Sequence, residues 1–219
     1  MNVPTMVNNM CAHVQNPMKR KNLIIFDGFL ENPDGIREYA LEQTYERLGG
    51  RNWPGRDSKE SHGEKEMTEA CSQVVGQQLF IKPENKCSYF RITKEGEYGS
   101  QHIHFDPMPG LIWAGVLYLT PTVHPTGGTK FWKHKETGWE MSPSPEEAAK
   151  YGIKNDDDMV KFFNTEGKDE SKWIETDNIG FKYNRLVMFN PALWHSNCEW
   201  FGDTYDNCRL VQLFFFHGV

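Results

Sequence analysis

The sequence predicts a mainly β protein, a jelly roll with N-terminal helices packed on one of its sheets. Three observations carry this expectation. Apolar residues at helical spacing are confined to two stretches between residues 32 and 79. From residue 87 onward the texture changes to short apolar runs separated by Gly, Pro and Asp turns. The chain has 219 residues, 38% apolar and 13% aromatic, which is enough for one sizeable core, so a single domain over 1–219 is expected.

In chain order, residues 1–21 are polar and aperiodic and read as a loose arm. Leu23-Ile24-Ile25-Phe26 is a strand ended by Asp27-Gly28. Asn32-Pro33 is an N-cap followed by proline at the first helical position. The helix it opens is expected to run to about Leu48, where Gly49-Gly50 stops it, with Leu41, Tyr45 and Leu48 on its apolar stripe and Ile36 and Ala40 off it. Residues 49–63 read as a loop. A second helix is expected from Glu64 to Leu79, with Met67, Cys71, Val74, Val75 and Leu79 on one face.

Strands follow at Cys87–Thr93, Leu111–Leu119 and Gly127–Trp132, then at Trp173–Glu175, Arg185–Phe189 and Arg209–Phe216. Residues 134–178 interrupt them. This insertion holds the capping box Ser144-Pro145-Glu146-Glu147 and the acidic run Asp156-Asp157-Asp158, and predicts one or two short helices. Polar loops between strands suggest a cover over the open end of the barrel.

The formal net charge is −6, which argues against a nucleic-acid substrate, since phosphate backbones are gripped by basic faces. The five cysteines are Cys11, Cys71, Cys87, Cys198 and Cys208, an odd number without a C-x-x-C pair. That pattern fits reduced thiols better than a disulfide framework. No apolar leader or long apolar run is present, so a soluble cytoplasmic protein is expected.

The stretch Tyr98 to Asp106 carries the chemistry. His104 and Asp106 are two residues apart, so on an extended chain both side chains point the same way and can close on one metal ion. A third ligand is available at His195, after Met188-Phe189-Asn190-Pro191. Two histidines and a carboxylate on one side of an octahedral ion leave the other side open, the arrangement of non-haem Fe(II) oxygenases. His102 also lies two residues from His104, and an H-x-H pair would be similar to a cupin site. That site needs a glutamate a few residues on, where Pro107-Met108-Pro109-Gly110 stands instead, so His102 reads as packing or support. His124, His134 and His217 have no partners at ligand spacing, and Asp156–Asp158 lacks the spacing of a calcium loop.

The order His104-x-Asp106, distal His195, then Arg209 resembles the Fe(II)/2-oxoglutarate-dependent dioxygenases, and most of all their prolyl 4-hydroxylase-like branch. Leu117-Tyr118-Leu119-Thr120 is similar to its Y-L-N strand end, Gly127-Gly128-Thr129 to Phe131 to its glycine-rich strand, and Arg209 to Phe216 to its last strand. The match covers roughly 87–135 and 180–217. His195 and Arg209 stand further apart than is usual in prolyl hydroxylases, and 134–178 has no counterpart. The combination looks more like uncharacterised phage and bacterial oxygenases of this branch.

The resemblance implies a double-stranded β-helix that binds Fe(II) through His104, Asp106 and His195. It implies 2-oxoglutarate as co-substrate, its far carboxylate held by Arg209 and Tyr118. The implied activity is hydroxylation of a C–H bond on a peptide side chain or a small molecule. A cupin-like metal-dependent isomerase or lyase, which would not need Arg209, is one alternative. A non-catalytic jelly-roll binding module is the other.

Overall fold

The computed structural model describes residues 18–20 (backbone only), 22–47, 54–97, 102–106, 108–197 and 199–218. Residues 1–17 of the expected arm lie outside these, as do Leu48, Gly49-Gly50, Tyr98–Gln101, Pro107, Cys11 and Cys198. The end of the arm is a strand: β1 (Met18–Arg20) pairs antiparallel with β2 (Leu23–Asp27).

Helix α1 (Pro33–Leu41) starts as expected, with the Asn32 side chain accepting from the Gly35 N–H at 3.1 Å, but it ends at Leu41. Ile36 and Ala40 are its buried residues, the reverse of the expected stripe. Tertiary pairing overrides helical spacing here: β3 (Tyr45–Glu46) pairs with β4 (Arg56–Ser61), and the Tyr45 hydroxyl donates to the Ala40 carbonyl at 2.8 Å. Strand β4 lies in a stretch expected to be loop. Its residues are polar, so no apolar alternation marks it. Asp57 and Ser58 are buried because partners meet them, Arg91 across the sheet and the Phe90 N–H on Ser58 Oγ at 3.0 Å.

Helix α2 (Glu64–Val75) buries Met67, Ala70, Cys71 and Val74. It stops one turn early at Gly76, whose φ of 74° is a left-handed cap. β5 (Leu79–Phe80) instead pairs with the C-terminal end of β12 (Arg209–Gly218). Between them come β6 (Tyr89–Thr93), β7 (Leu111–Tyr118), β8 (Val123–His134), α3 (Pro145–Lys150), α4 (Asp156–Thr165), two short 3-10 turns, β9 (Trp173–Lys182), β10 (Arg185–Phe189) and β11 (His195–Asn197).

β8 and β9 are both longer than the sequence suggests. Their pairing is interrupted between His124 and Thr129 and between Phe131 and Trp132, which breaks the two-residue alternation that would have revealed them. At Gly128 an added Cβ would lie 1.8 Å from the Ile179 carbonyl oxygen, so the close approach of β8 to β9 requires glycine.

All strand pairings are antiparallel. The larger sheet runs β1-β2-β10-β7-β12-β6-β4-β3, with β5 on β12, and the smaller runs β11-β8-β9. Residue 104 extends the smaller sheet by bridging to His195. From β6 onward the chain passes from the larger sheet to 104, back to β7, across to β8 and β9, back to β10, across to β11 and back to β12. Two layers wound in this way form a double-stranded β-helix.

Alternation along β12 sorts its side chains. Leu210, Phe214 and Phe216 join the cluster beneath α1 and α2, while Val211 and Leu213 enter the space between the sheets. β6 does the same, with Phe90 and Ile92 on the helix side and Tyr89 and Arg91 inside. A third, mostly aromatic cluster lies under the 134–178 segment. Among the described residues no helix is long and apolar enough to cross a membrane. Cys71, Cys87 and Cys208 are free and buried.

Candidate metal centre

His104 and His195 are direct cross-strand neighbours. The His104 N–H donates to the His195 carbonyl at 2.9 Å and the His195 N–H to the His104 carbonyl at 2.7 Å. Opposed residues of an antiparallel pair present their side chains on the same face, and the two rings lie 4.6 Å apart. Asp106, two residues on, points to that face as well, and its N–H is fixed on the Pro191 carbonyl at 2.9 Å. Nε2 of His104 stands 3.9 Å and Nε2 of His195 3.8 Å from the two Asp106 oxygens. One ligand atom from each of the three lies within 4.8 Å of the others.

The backbone sets the tautomers. Nδ1 of His104 is 3.0 Å from the His102 carbonyl, and Nδ1 of His195 is 2.8 Å from the Leu193 carbonyl. A carbonyl only accepts, so each Nδ1 carries the proton and each Nε2 keeps its lone pair, the form that binds metals. Burial, reinforced by His195, pushes His104 down to about 3, so it is neutral at physiological pH. Burial raises Asp106, against the pull of His195 and Arg91. A buried carboxylate beside two imidazoles whose Nδ1 protons are held by backbone carbonyls is an environment that a divalent cation would stabilise, so the donor set fits such an ion.

The three residues line a cavity of about 420 Å³ between the sheets. Ala114, Val116, Phe189, Leu213 and Phe215 form its apolar wall, Thr129 and Asn197 a polar side, and Glu84 and Lys86 also line it. Arg209 and Tyr118 stand behind the polar side. Arg209 is 1% exposed; its Nε–H donates to the Gly127 carbonyl at 3.0 Å and its Nη2 to Asn197 Oδ1 at 3.3 Å, with the guanidinium 5.8 Å from the Tyr118 ring centre. The Tyr118 hydroxyl is bonded to Thr129 Oγ1 at 2.9 Å.

Sequence reasoning missed Arg91. It lines the cavity and is held by Asp57 through two bonds, Nε–Oδ1 at 2.6 Å and Nη2–Oδ2 at 3.1 Å. Burial lowers its pKa, opposed by Tyr89 and by Asp106. The available signal was a charge in mid-strand, between Phe90 and Ile92. His102 stays outside the ligand set, with Nε2 2.6 Å from Glu170 Oε1. His134 pairs with Glu166 at 3.3 Å, His217 with the Gly110 carbonyl at 2.8 Å, and His124 stacks on Phe201. Among the described residues the 134–178 segment contributes none to the cavity lining; it packs against Ile103, Phe105 and Trp194 beside the ligands.

Residues 8–199 match the model of DUF6445, a family of unknown function. The chain belongs to that family. No curated protein matches this DUF6445 chain. Among solved structures, HygX from Streptomyces hygroscopicus, crystallised with nickel and 2-oxoglutarate, aligns with a TM-score of 0.54 at 11% identity over 90% of this chain and 83% of its own. The same protein with hygromycin B also bound gives 0.53 at 11% identity over the same shares, 90% and 83%. A Pseudomonas putida prolyl-4-hydroxylase aligns at 0.46 and 13% identity, over 90% of this chain and 93% of its own. What the DUF6445 chain shares with HygX at this identity is the fold.

Proposed function

We propose that this chain is an Fe(II)- and 2-oxoglutarate-dependent dioxygenase that hydroxylates a C–H bond of a peptide side chain or a small molecule. The observation that carries the reading is the cross-strand histidine pair. His104 and His195 face each other with their Nε2 atoms toward Asp106, and all three line a cavity of about 420 Å³. The likeness in fold to HygX, crystallised with nickel and 2-oxoglutarate, supports the same pairing of metal and co-substrate.

In this reading His104, Asp106 and His195 would hold the metal at the wall of the cavity. Iron with 2-oxoglutarate supplies the oxidising chemistry that converts C–H to C–OH. Arg209 and Tyr118 receive the far carboxylate. A planar guanidinium meets a carboxylate with two parallel bonds, and Asn197 and Thr129 connect both residues to the cavity wall. Ala114, Val116, Phe189, Leu213 and Phe215 exclude water from the space where a C–H bond is presented. That apolar wall and the net charge of −6 speak against a nucleic-acid substrate. Three buried free thiols fit a reducing compartment such as the cytoplasm.

Anaerobic Fe(II) titration with and without 2-oxoglutarate tests the reading. A weak visible charge-transfer band that needs both components is expected. Fe(II) binding that 2-oxoglutarate leaves unchanged would return the site to a cupin-like metal centre, and no Fe(II) binding to a non-catalytic module.

A further inference from the structure

The segment between β8 and β9 touches both ligand-bearing strands from behind. The 102–106 segment is bridged at His104 to His195 on one edge, and on the other the Ile103 N–H donates to the Gly167 carbonyl at 2.9 Å. At Gly167 an added Cβ would lie 2.4 Å from the Ile103 carbonyl oxygen, so any side chain there pushes the ligand strand away. The residues before His195 are gripped too. The Trp194 N–H donates to the Glu140 carbonyl at 3.1 Å, the Ser142 N–H to the Ala192 carbonyl at 2.7 Å, and the Trp194 indole N–H to the Met141 carbonyl at 3.0 Å.

Side chains complete the contact. Because His104 and Asp106 face the cavity, Phe105 faces the other way. It meets Trp194 edge-on at 4.9 Å and Phe163 of α4 edge-on at 5.1 Å, and Phe163 meets Trp194 at 5.6 Å. Trp194 also packs on Trp173 at 4.9 Å. Each ligand strand therefore places an aromatic residue, Phe105 or Trp194, against the same phenylalanine of the insertion. Glu170 adds a bond to His102, whose carbonyl holds His104 Nδ1.

We propose that this segment is a clamp that sets the distance between the metal ligands, with Phe163 and Gly167 as positioning residues for a metal they do not touch. The proposal rests on the ligand reading above. A clamp of this kind makes metal affinity depend on residues that line no part of the cavity. It also reverses the expectation for a cover, whose removal would leave the metal in place.

The test uses Co(II) as probe on the full chain, measuring its affinity without co-substrate, the position and intensity of its visible d–d bands, and the melting of the metal-free protein. Phe163→Ala and Gly167→Ala are expected to lower Co(II) affinity about 10- to 100-fold, the range for residues that support metal ligands, and to change the bands. Phe163→Leu recovers part of the loss, and Val160→Ala, on the exposed face of α4, changes nothing. If Phe163→Ala does not fold, Phe163→Leu and the exposed Glu170→Gln carry the measurement, each with a smaller loss in the same direction. Folded variants with lower melting points but wild-type affinity and bands overturn the clamp. Asp106→Ala separates the two ideas: if it binds Co(II) as the wild type does, the ligand reading itself fails. If it loses Co(II) while the Phe163 and Gly167 variants keep it, only the clamp fails.

Discussion

Asp57→Ala should be among the most destabilising single changes in the chain. Asp57 and Arg91 are directly opposed on β4 and β6, 3% and 7% exposed, and joined by two bonds of 2.6 and 3.1 Å. Removing the carboxylate leaves a buried guanidinium without its main counter-charge, at a cost of about 3–5 kcal/mol. Domains of this size are stable by about 5–15 kcal/mol, so the variant should be close to unfolding at 37 °C. The pair itself contributes little, because desolvation nearly offsets its attraction. Asp57→Leu combined with Arg91→Met should therefore stay within about 1–2 kcal/mol of the wild type. Urea unfolding at pH 7 of the wild type, the single variant and the double variant decides it. A loss below about 1 kcal/mol for Asp57→Ala would mean that the Arg91 guanidinium is compensated by water or by other groups, and the reasoning from an uncompensated buried charge would be wrong.

Asp106→Ala should abolish both Fe(II) binding and turnover, read by titration and by succinate release. Arg209→Ala should weaken 2-oxoglutarate about ten- to several-hundred-fold, since charge-assisted bonds contribute about 1.5–3 kcal/mol each and 1.4 kcal/mol is a decade. Arg209→Lys should recover only part of that, Fe(II) affinity alone should stay as it is, and equal 2-oxoglutarate affinities would remove Arg209 from the site. Asp27 is held at about 2 chiefly by its bond to Arg185, with Lys182 beside it. A depressed carboxylate pKa gives stability that is complete above the unfolded value near 4 and lost as pH falls through the folded value. Asp27→Asn should accordingly cost about 1 kcal/mol at pH 5, discounted for partial exposure, with most of that cost gone by pH 2. A gap as large at pH 2 as at pH 5 in denaturant titrations would point to packing rather than charge.

The parts of the site that were legible in the sequence are those fixed by local geometry. His104 and Asp106 share a face because a strand has period two, and that needs no knowledge of partners. His195 was placed by order along the chain, and the structure sets it directly opposite His104. Elements decided by distant pairing were not legible. Strand β4 is a run of Arg, Asp, Ser, Lys and Glu with no apolar alternation, and it is a strand because β6 receives it and Arg91 waits opposite Asp57. The first helix ends early for the same kind of reason, since Tyr45 is claimed by β3 and by the Ala40 carbonyl.

The 134–178 segment shows how far that distinction reaches into function. Its polar composition between two strands suggested a mobile cover. It nevertheless buries large aromatic side chains: Trp139, Phe163 and Trp173 are each less than 10% exposed. A cover must open on the timescale of turnover, and segments that do so make few buried apolar contacts. Burying a large side chain is worth about 1.5–3 kcal/mol, so opening a segment that holds three of them would cost several kcal/mol. It would also release the Gly167–Ile103 and Glu140–Trp194 bonds on which both ligand strands lean. The energetics of this segment therefore favour a fixed support over a mobile cover.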